Sequence, residues 1–280
     1  MAVQTEPGKT AWNAEIKSGE RFEFGKNWSR FLKVLDEERI LQAEKSLKNM
    51  LPGSLEGKRF LDIGSGSGLF SLCARRLGAN VHSFDFDPNS VKCAEYLRER
   101  FNLQSGWTVE QGSVLDKNYL NLLGKFDVVY SWGVLHHTGA MWEALGNAAE
   151  RVADGGLLFI SIYNDQGRRS IWWRRVKQVY CANFLGRMLI TCTFIPFFVV
   201  RGAIFDLLRL KNPFSRYSEY RKERGMSIFH DYYDWLGGLP FEVATPEAIF
   251  DFFRARGFEL RRLKTSLGLA CNEFVFEKVK

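Results

Sequence analysis

Apolar residues along most of the chain come as short runs, separated by segments with helical spacing. The short runs predict seven β-strands, at 59–63, 80–84, 107–111, 126–131, 157–163, 258–264 and 272–277. Helical spacing is found at 31–50, 69–77, 88–101, 142–152 and 245–257. Strand–helix alternation with short links predicts an α/β fold with a doubly wound, mostly parallel, Rossmann-like sheet of seven strands. The last two strands follow each other directly and are expected to form an antiparallel edge.

A long segment between the fifth strand and the last helix interrupts this alternation. Residues 165–224 hold 13 Lys and Arg against 4 Asp and Glu, whereas the rest of the chain holds 26 against 28. We therefore predict a helical insert after strand 5, rich in basic and aromatic residues. The predicted parts are an N-terminal helical lid segment at 1–54, a ligand-binding core at 55–163, the insert at 164–244, and the last helix with the closing strand pair at 245–280.

The composition is typical of a folded protein in a reducing compartment. Apolar residues make up 46% and charged residues 25% of the 280 positions, with a net charge of +7. Five cysteines without a Cys-x-x-Cys pair favour neither a disulfide framework nor a zinc knuckle, so we expect a cytoplasmic protein. The N-terminal stretch has no apolar core, which predicts no signal peptide. The most apolar run, 188–200, contains Pro196 and is shorter than the ~20 residues of a bilayer span, so no transmembrane helix is predicted.

A glycine cluster follows the first strand, in the sequence LDIGSGSG at 61–68. Gly64, Gly66 and Gly68 allow the backbone to turn sharply and to approach a ligand closely. The spacing differs from the dinucleotide pattern G-x-G-x-x-G, because the third glycine comes one residue early, and the Gly-Lys-Ser/Thr of a P-loop is absent from the cluster. Asp62 would repel a phosphate there, so the loop suits a cationic or amine-bearing ligand.

A second acid, Asp85, ends the second strand 23 residues after Asp62. An acid at that place commonly binds ribose hydroxyls, whereas the neighbouring Asp87 is expected to cap the next helix. Together these residues indicate a nucleoside that carries positive charge and lacks a diphosphate. S-adenosylmethionine meets this description.

At these residues the chain resembles the class I S-adenosylmethionine-dependent methyltransferases. The resemblance rests on the sequences LDIGSGSG (61–68), VHSFDFDP (81–88), QGSVLD (111–116), FDVVYSWGVLHH (126–137) and VADGGLLFISIY (152–163). In its core the chain is similar to the quinone-biosynthesis O-methyltransferases. The resemblance implies S-adenosyl-L-methionine as the methyl donor and S-adenosyl-L-homocysteine as the product.

The resemblance also implies which residues bind the donor. They are Trp28, Asp62, Gly64, Ser65, Gly66, Gly68, Asp85, Phe86, Ser113, Val114, Ser131 and Trp132. Asp85 would bind the ribose hydroxyls, Asp62 would face the amino end of the ligand, and Ser113 would lie against the adenine. Trp28 belongs to an N-terminal segment that related enzymes often close over the donor.

The loop after the fourth strand, 131–139, borders the transferred methyl group in this family. It lacks the Asn/Asp-Pro-Pro-aromatic sequence of the DNA and RNA amino-group methylases. A base is needed only where the acceptor must lose a proton, and histidine is the natural base near neutral pH. His136 and His137 are therefore candidate catalytic residues. The alternative is that one packs beneath the loop and the other binds a backbone carbonyl.

The insert is predicted to form the acceptor side of the site. Tyr232, Tyr233 and Asp234 are candidate acceptor-binding residues, and no metal is expected because this cluster lacks a distant ligand. The insert fits a cap over a small or lipid-like acceptor, or an element in peripheral contact with the inner face of an anionic membrane. An RNA-binding surface fits less well, because an RNA groove does not need a contiguous apolar stretch.

These observations lead to one expected function and two alternatives. We expect an S-adenosylmethionine-dependent methyltransferase that acts on a small, apolar-bodied acceptor, with O-methylation favoured. The alternatives are a tRNA or RNA methyltransferase and a non-catalytic scaffold that binds S-adenosylmethionine. The residues do not reveal the acceptor, the attacked atom or the oligomeric state.

Overall fold

The computed structural model describes residues 7–213, 215, 228–268 and 270–279, and the side chains at 7–11, 228–231 and 234 fall outside that description. The helices are α1 (Pro7–Lys17), α2 (Phe24–Leu32), α3 (Glu37–Met50), α4 (Leu69–Arg76), α5 (Pro88–Arg100), α6 (Lys117–Leu123), α7 (Met141–Glu150), α8 (Arg168–Ala182), α9 (Phe184–Leu208), α10 (Ile228–Gly237) and α11 (Pro246–Arg254), with a 3-10 turn at Leu135–His137. The strands are β1 (Arg59–Ile63), β2 (Asn80–Asp85), β3 (Trp107–Gln111), β4 (Phe126–Trp132), β5 (Val152–Tyr163), β6 (Phe258–Lys264) and β7 (Cys271–Lys278).

The strands form one mixed sheet in the order β3-β2-β1-β4-β5-β7-β6. Strands β1 to β5 pair in parallel, and β7 pairs antiparallel with both β5 and β6. The predicted doubly wound sheet with an antiparallel edge is therefore confirmed. The strand order reverses at β1, and open α/β sheets bind ligands at such a point, outside the carboxyl ends of the strands. Ile63 lies beside Phe84 in the β1–β2 register, so the loop after β1 begins next to Asp85.

Helices cover both faces of the sheet, and each face has its own apolar core. Successive side chains of a strand point to opposite faces. Phe60 accordingly packs in a core with residues of α3, α4 and α5, whereas Leu61 packs in a second core with residues of α7 and α11. Both side chains are fully buried. The carboxyl end of β1 is thus fixed from two sides, which gives the loop that follows it a rigid base.

The predicted helix at 31–50 is wrong as one element, because the structure divides it into α2 and α3. Residues 33–36 leave the helix, and the Asp36 carboxylate caps α3 by accepting a hydrogen bond from Arg39 N at 3.0 Å. Leu35 is buried within the break. The sequence did carry a signal for this second start, since Asp36 is followed by Glu37 and Glu38, and acids favour the first turn of a helix.

The insert leaves the sheet and rejoins it at one place. Asn164 and Ala244 form an isolated parallel bridge, and Ala244 N donates to Tyr163 O at 3.0 Å. Between these points α8, α9 and α10 pack around a third apolar cluster, which includes Tyr180 and Leu236. The insert therefore stands at the carboxyl end of β5, on the edge of the sheet where the glycine loop also lies.

Helix α9 is longer than its most apolar run. It continues through Pro196 over 25 residues, and by length and composition it could cross a membrane. The prediction against a transmembrane helix used the length of the apolar run alone. The helix that contains this run is longer and reaches the length of a bilayer span, so length does not support that prediction. The polar side chain of Asn183 starts the helix by accepting a hydrogen bond from Gly186 N at 2.8 Å.

Candidate active site

The loop after β1 has a backbone that requires glycine. Gly64 has φ +75°, and a Cβ added there would overlap the side chain of Val134. Gly66 has φ +55°, and an added Cβ would come within 3.0 Å of the Trp28 indole nitrogen. Left-handed conformations of this kind cost little only for glycine. The loop consequently brings backbone amides to the carboxyl edge of the sheet without side chains in the way.

Asp85 at the end of β2 is held by two backbone amides. Its carboxylate accepts hydrogen bonds from Gly66 N at 2.9 Å and from Asp87 N at 2.8 Å. Burial raises the pKa of the Asp85 carboxyl to about 6, although these two hydrogen bonds lower it. Asp87 caps α5 as predicted, by accepting from Asn89 N at 2.8 Å.

Asp62 lies one strand away and is almost completely buried. The Ser71 hydroxyl donates a hydrogen bond to it at 2.5 Å. Burial raises the pKa of the Asp62 carboxyl to about 7; the Ser71 hydrogen bond opposes this change, and the charge of Asp85 adds to it. Two neighbouring acids with raised pKa values favour a ligand that brings positive charge, because such a ligand stabilises both carboxylates.

A cavity of about 1090 Å³ extends from this loop to the insert. The residues predicted from the sequence that line it are Trp28, Asp62, Gly64, Ser65, Asp85, Phe86, Ser113, Val114, Trp132, His137 and Tyr232. Most of the predicted donor-binding residues are therefore brought together. Asp116, in the segment QGSVLD, does not line the cavity, because it accepts a hydrogen bond from Tyr119 N at 3.1 Å and caps α6.

Several predicted residues do not line the cavity. Gly66 is covered by Trp28, and Gly68, which directly precedes α4, lies against Ala94 of α5. The Ser131 hydroxyl supports the loop from below by donating to Ile63 O at 2.9 Å. Tyr233 of α10 is 39% exposed and lies outside the lining. The Asp234 side chain lies outside the described residues.

The two histidines differ in their surroundings. His137 lines the cavity, and its Nδ1 lies 2.6 Å from Pro240 O. Because a carbonyl oxygen only accepts, Nδ1 donates and Nε2 keeps its lone pair. Burial lowers the pKa of the His137 imidazole to about 3, despite the Pro240 hydrogen bond, and the charges of Lys177 and Arg21 lower it further.

His136 does not line the cavity. It has no exposed surface, and its ring centroid lies 4.1 Å from that of Tyr163. Burial lowers the pKa of His136 well below its usual range. The prediction of His136 as a catalytic residue therefore needs correction, because β5 and its neighbours enclose that ring. The alternative, in which one histidine packs beneath the loop and the other binds a backbone carbonyl, agrees with His136 and with the contact of His137 to Pro240 O.

The N-terminal segment closes one side of the cavity. Gly25 N donates to the Asp87 carboxylate at 2.8 Å, which attaches α2 to the start of α5 and places Trp28 over the glycine loop. Arg21, which the sequence did not single out, donates to His137 O at 3.0 Å and lies 5.0 Å from the Phe86 ring centroid. Its position depends on contacts across the fold and left no local signal.

Aromatic residues of β5 and the insert form the opposite wall. The lining there includes Tyr163, Phe198, Phe205, Tyr232 and Trp235, of which the sequence singled out only Tyr232. Tyr163 could have been found, because it ends β5 at the edge where the other carboxyl ends meet. Over the residues with a described structure, no group of three His, Cys, Asp or Glu side chains is arranged to hold a metal ion.

The residues of this cavity fit S-adenosylmethionine. Asp85 and Asp62 line it with carboxylates, one of a kind that suits ribose hydroxyls and the other an amino group. The loop amides of Gly64, Ser65, Gly66 and Gly68 are hydrogen-bonded within the protein and hold the loop in shape. The Ser65 hydroxyl is buried without a hydrogen-bond partner among the described residues, and it lines the same cavity. A buried hydroxyl normally has a hydrogen-bond partner, so a bound nucleoside would supply the partner that the described residues do not.

The sequence matches a family described as a methyltransferase domain, over residues 35–198. Among curated proteins, the chain is 32% identical over 115 residues to a ubiquinone biosynthesis O-methyltransferase of Bordetella avium, covering 41% of this chain and 46% of that protein. It is 33% identical over 121 residues to one of Cereibacter sphaeroides, covering 43% and 47%. The chain thus spans about half the length of the curated relatives it matches.

A solved structure of similar fold is the magnesium protoporphyrin IX methyltransferase of Synechocystis PCC 6803 with bound S-adenosylmethionine. It aligns with a TM-score of 0.55 and 12% identity, over 99% of this chain and 100% of that one. At this identity the likeness shows the fold alone.

Asp85→Asn should weaken binding of S-adenosylhomocysteine by about tenfold or more, because a hydrogen bond to a charged group contributes about 1.5–3 kcal/mol. Calorimetric titration measures the affinity. Asp154→Asn, at an exposed acid outside the cavity, is the control and should bind as the wild type does. Equal affinity in both variants would contradict the assignment of Asp85.

Binding of S-adenosylmethionine should strengthen as the pH rises from about 5 to about 7.5. Asp85 and Asp62, with pKa values near 6 and 7, are largely protonated at the lower pH, and a cationic ligand favours their ionised forms. A single group of pKa 6 weakens binding about tenfold at pH 5. Calorimetry in two buffers of different ionisation enthalpy should show proton release at pH 5, and a pH-independent affinity without release would rule this out.

Proposed function

The chain belongs to the methyltransferase-domain family, with the class I S-adenosylmethionine-dependent fold, and on that premise we propose that it methylates an oxygen of a small, apolar-bodied acceptor. The observation that carries the proposal is the continuity of the cavity. One end holds the glycine loop with Asp85, and the other is walled by aromatic side chains of the insert. A nucleoside and an apolar acceptor can therefore meet in one continuous cavity.

His137 lines the same cavity. Its neighbours are Phe24, with ring centroids 5.0 Å apart, and Tyr163, at 5.5 Å. These aromatic contacts limit the access of water, and aligning two bound reactants supplies about 7–11 kcal/mol in favourable cases. When bound, the donor supplies a methyl group on a positively charged sulfur, which is released as a neutral thioether.

We assign His137 the role of accepting the acceptor's proton. Its Nε2 lone pair can take a hydrogen bond from a hydroxyl, since Nδ1 is engaged by Pro240 O. The pKa near 3 makes it a weak base. The hydroxyl becomes strongly acidic as the new carbon–oxygen bond forms, so a weak base suffices late in the reaction.

We also propose that the protein works in the cytoplasm, in peripheral contact with the inner face of the membrane. Helix α9 exposes many of its apolar side chains, and it also exposes Arg187 and Arg201; Arg209, directly after the helix, is exposed as well. This combination supports an anionic membrane surface more than an RNA.

The proposed function is tested with S-adenosylmethionine labelled in its methyl group. The purified protein is incubated with alkylphenols and, as controls, with the same compounds already methylated at oxygen. We expect label in the phenols alone, as an O-methyl group. Binding of the donor without transfer to any hydroxyl, carboxyl or amine in a broader panel would instead support the scaffold alternative.

His137→Ala should lower kcat by about 100-fold or more, the usual contribution of a positioned base. With both substrates saturating, the wild-type kcat should lack a histidine transition between about pH 5 and 8, because His137 stays neutral there. The pH–rate profile measures this. An unchanged kcat in His137→Ala, or a transition near pH 6.5 that the substitution removes, would contradict the assignment.

Two adjacent tyrosines of α10 offer a matched pair for the acceptor wall. Tyr232 lines the cavity, whereas Tyr233 is exposed outside it. Tyr232→Ala should raise the KM for an alkylphenol severalfold and leave donor affinity unchanged, because it removes apolar surface from the acceptor wall only. Tyr233→Ala should change neither. Steady-state kinetics decide, and equal KM values in the two variants would contradict the placement of the acceptor.

A further inference from the structure

One side of α9 presents apolar side chains to solvent along its whole length. The large exposed apolar residues of this helix are Phe184, Leu185, Met188, Leu189, Phe197, Val200, Ile204, Phe205, Leu207 and Leu208. Most of them recur every three or four residues, as one face of a helix does. The 25 residues correspond to a length of about 37 Å. A patch of this size on a soluble protein normally marks an interaction site.

The opposite side of α9 is fixed to the protein. Ile190 is buried in the third apolar cluster, and Phe194 lies against Trp173 of α8 with ring centroids 5.3 Å apart. Close to its start, Gly186 approaches the backbone of Val179 so tightly that a Cβ would overlap it. Because one side is packed on the domain, lipid cannot surround this helix. The geometry favours a helix that lies along a membrane surface rather than one that crosses it.

The charges around this face are basic. The exposed Arg and Lys residues of α8, α9 and the turn that follows are Arg168, Arg169, Arg174, Arg175, Arg187, Arg201, Arg209 and Lys211. The acids in the same stretch are Asp165, which is half-buried, and Asp206, which is buried. Basic side chains beside an apolar helix face attract anionic lipid headgroups, at about 1 kcal/mol for each one near the surface.

The acceptor end of the cavity opens on the flank of this same helix. Phe198, Arg201, Gly202 and Phe205 of α9 line the cavity. Of these, Arg201 and Phe205 are also exposed, so they lie where the cavity meets the surface. Ile204, on the exposed apolar face, directly precedes Phe205. A ligand held in the membrane would therefore have a short route into the cavity.

We propose that α9 lies in the headgroup region of an anionic bilayer and that the methyl acceptor is a membrane lipid that enters the cavity past Arg201 and Phe205. The substrate class follows from the position of the opening: an amphiphile keeps its chain in the bilayer while its polar end reaches His137. This inference rests on the proposed function, because it specifies the acceptor of that same site.

Flotation of the full-length protein with vesicles tests the surface. We expect the protein to float with phosphatidylglycerol–phosphatidylcholine vesicles, to do so less at high salt, and to remain in solution with phosphatidylcholine alone. The double variant Leu189→Asp, Val200→Asp should lose at least tenfold in bound fraction. The control is Leu122→Asp on α6, where an 86% exposed leucine lies far from α9 in the sequence and outside the cavity, and it should float as the wild type does.

Calorimetric titration with S-adenosylhomocysteine shows that each variant is folded, since α9 does not supply the glycine loop. Wild-type protein that fails to float, or a double variant that floats equally well, overturns the proposal. The same holds if the wild type is a dimer that the double substitution converts to a monomer without any lipid binding, because a second copy would then be the occupant of this face.

A kinetic comparison separates the inference from the proposed function. One acceptor is a long-chain alkylphenol held in phosphatidylglycerol vesicles, and the other is a short, water-soluble alkylphenol. The double variant should lose at least tenfold in rate on the vesicle-held acceptor and keep its rate on the soluble one. Equal losses on both acceptors contradict entry from the bilayer, whereas no transfer to either acceptor by the wild type contradicts the proposed function itself.

Discussion

The carboxylate of Asp85 binds two backbone amides at once, Gly66 N at 2.9 Å and Asp87 N at 2.8 Å, and the rest of the site depends on this contact. It fixes the glycine loop to the end of β2. Asp87 in turn accepts from Gly25 N, so the N-terminal helix that carries Trp28 is attached to the same point. The sheet edge, the loop and the covering helix are therefore joined by one continuous set of hydrogen bonds.

The same contact has an electrostatic consequence. Asp85 and Asp62 are both buried, and burial raises the pKa of each carboxyl. The cost of keeping two desolvated acids is reduced by a ligand that carries positive charge and increased by a phosphate. We therefore propose that the two carboxylates favour a cationic nucleoside through the free energy of their ionised forms, while the backbone of the loop gives the site its shape.

Features that depend on local sequence could be predicted, and features that depend on distant contacts could not. The parallel strands, the glycine loop and the cap at Asp87 follow from short apolar runs and turn residues. The alternative that one histidine packs beneath the loop and the other binds a backbone carbonyl agrees with the structure. Which histidine takes which place was not predictable, because it is set by Tyr163 and by Pro240, which lies 103 residues from His137. The full length of α9 could not be read from its most apolar run, 188–200, because the helix continues through Pro196 and extends beyond both ends of that run.

A crystal structure of the protein with bound S-adenosylhomocysteine tests the central claim most directly. The account predicts that the ribose hydroxyls lie within hydrogen-bond distance of the Asp85 carboxylate, with the aromatic half of the cavity left for the acceptor. A nucleoside bound elsewhere in the cavity, with its ribose away from Asp85, would contradict it.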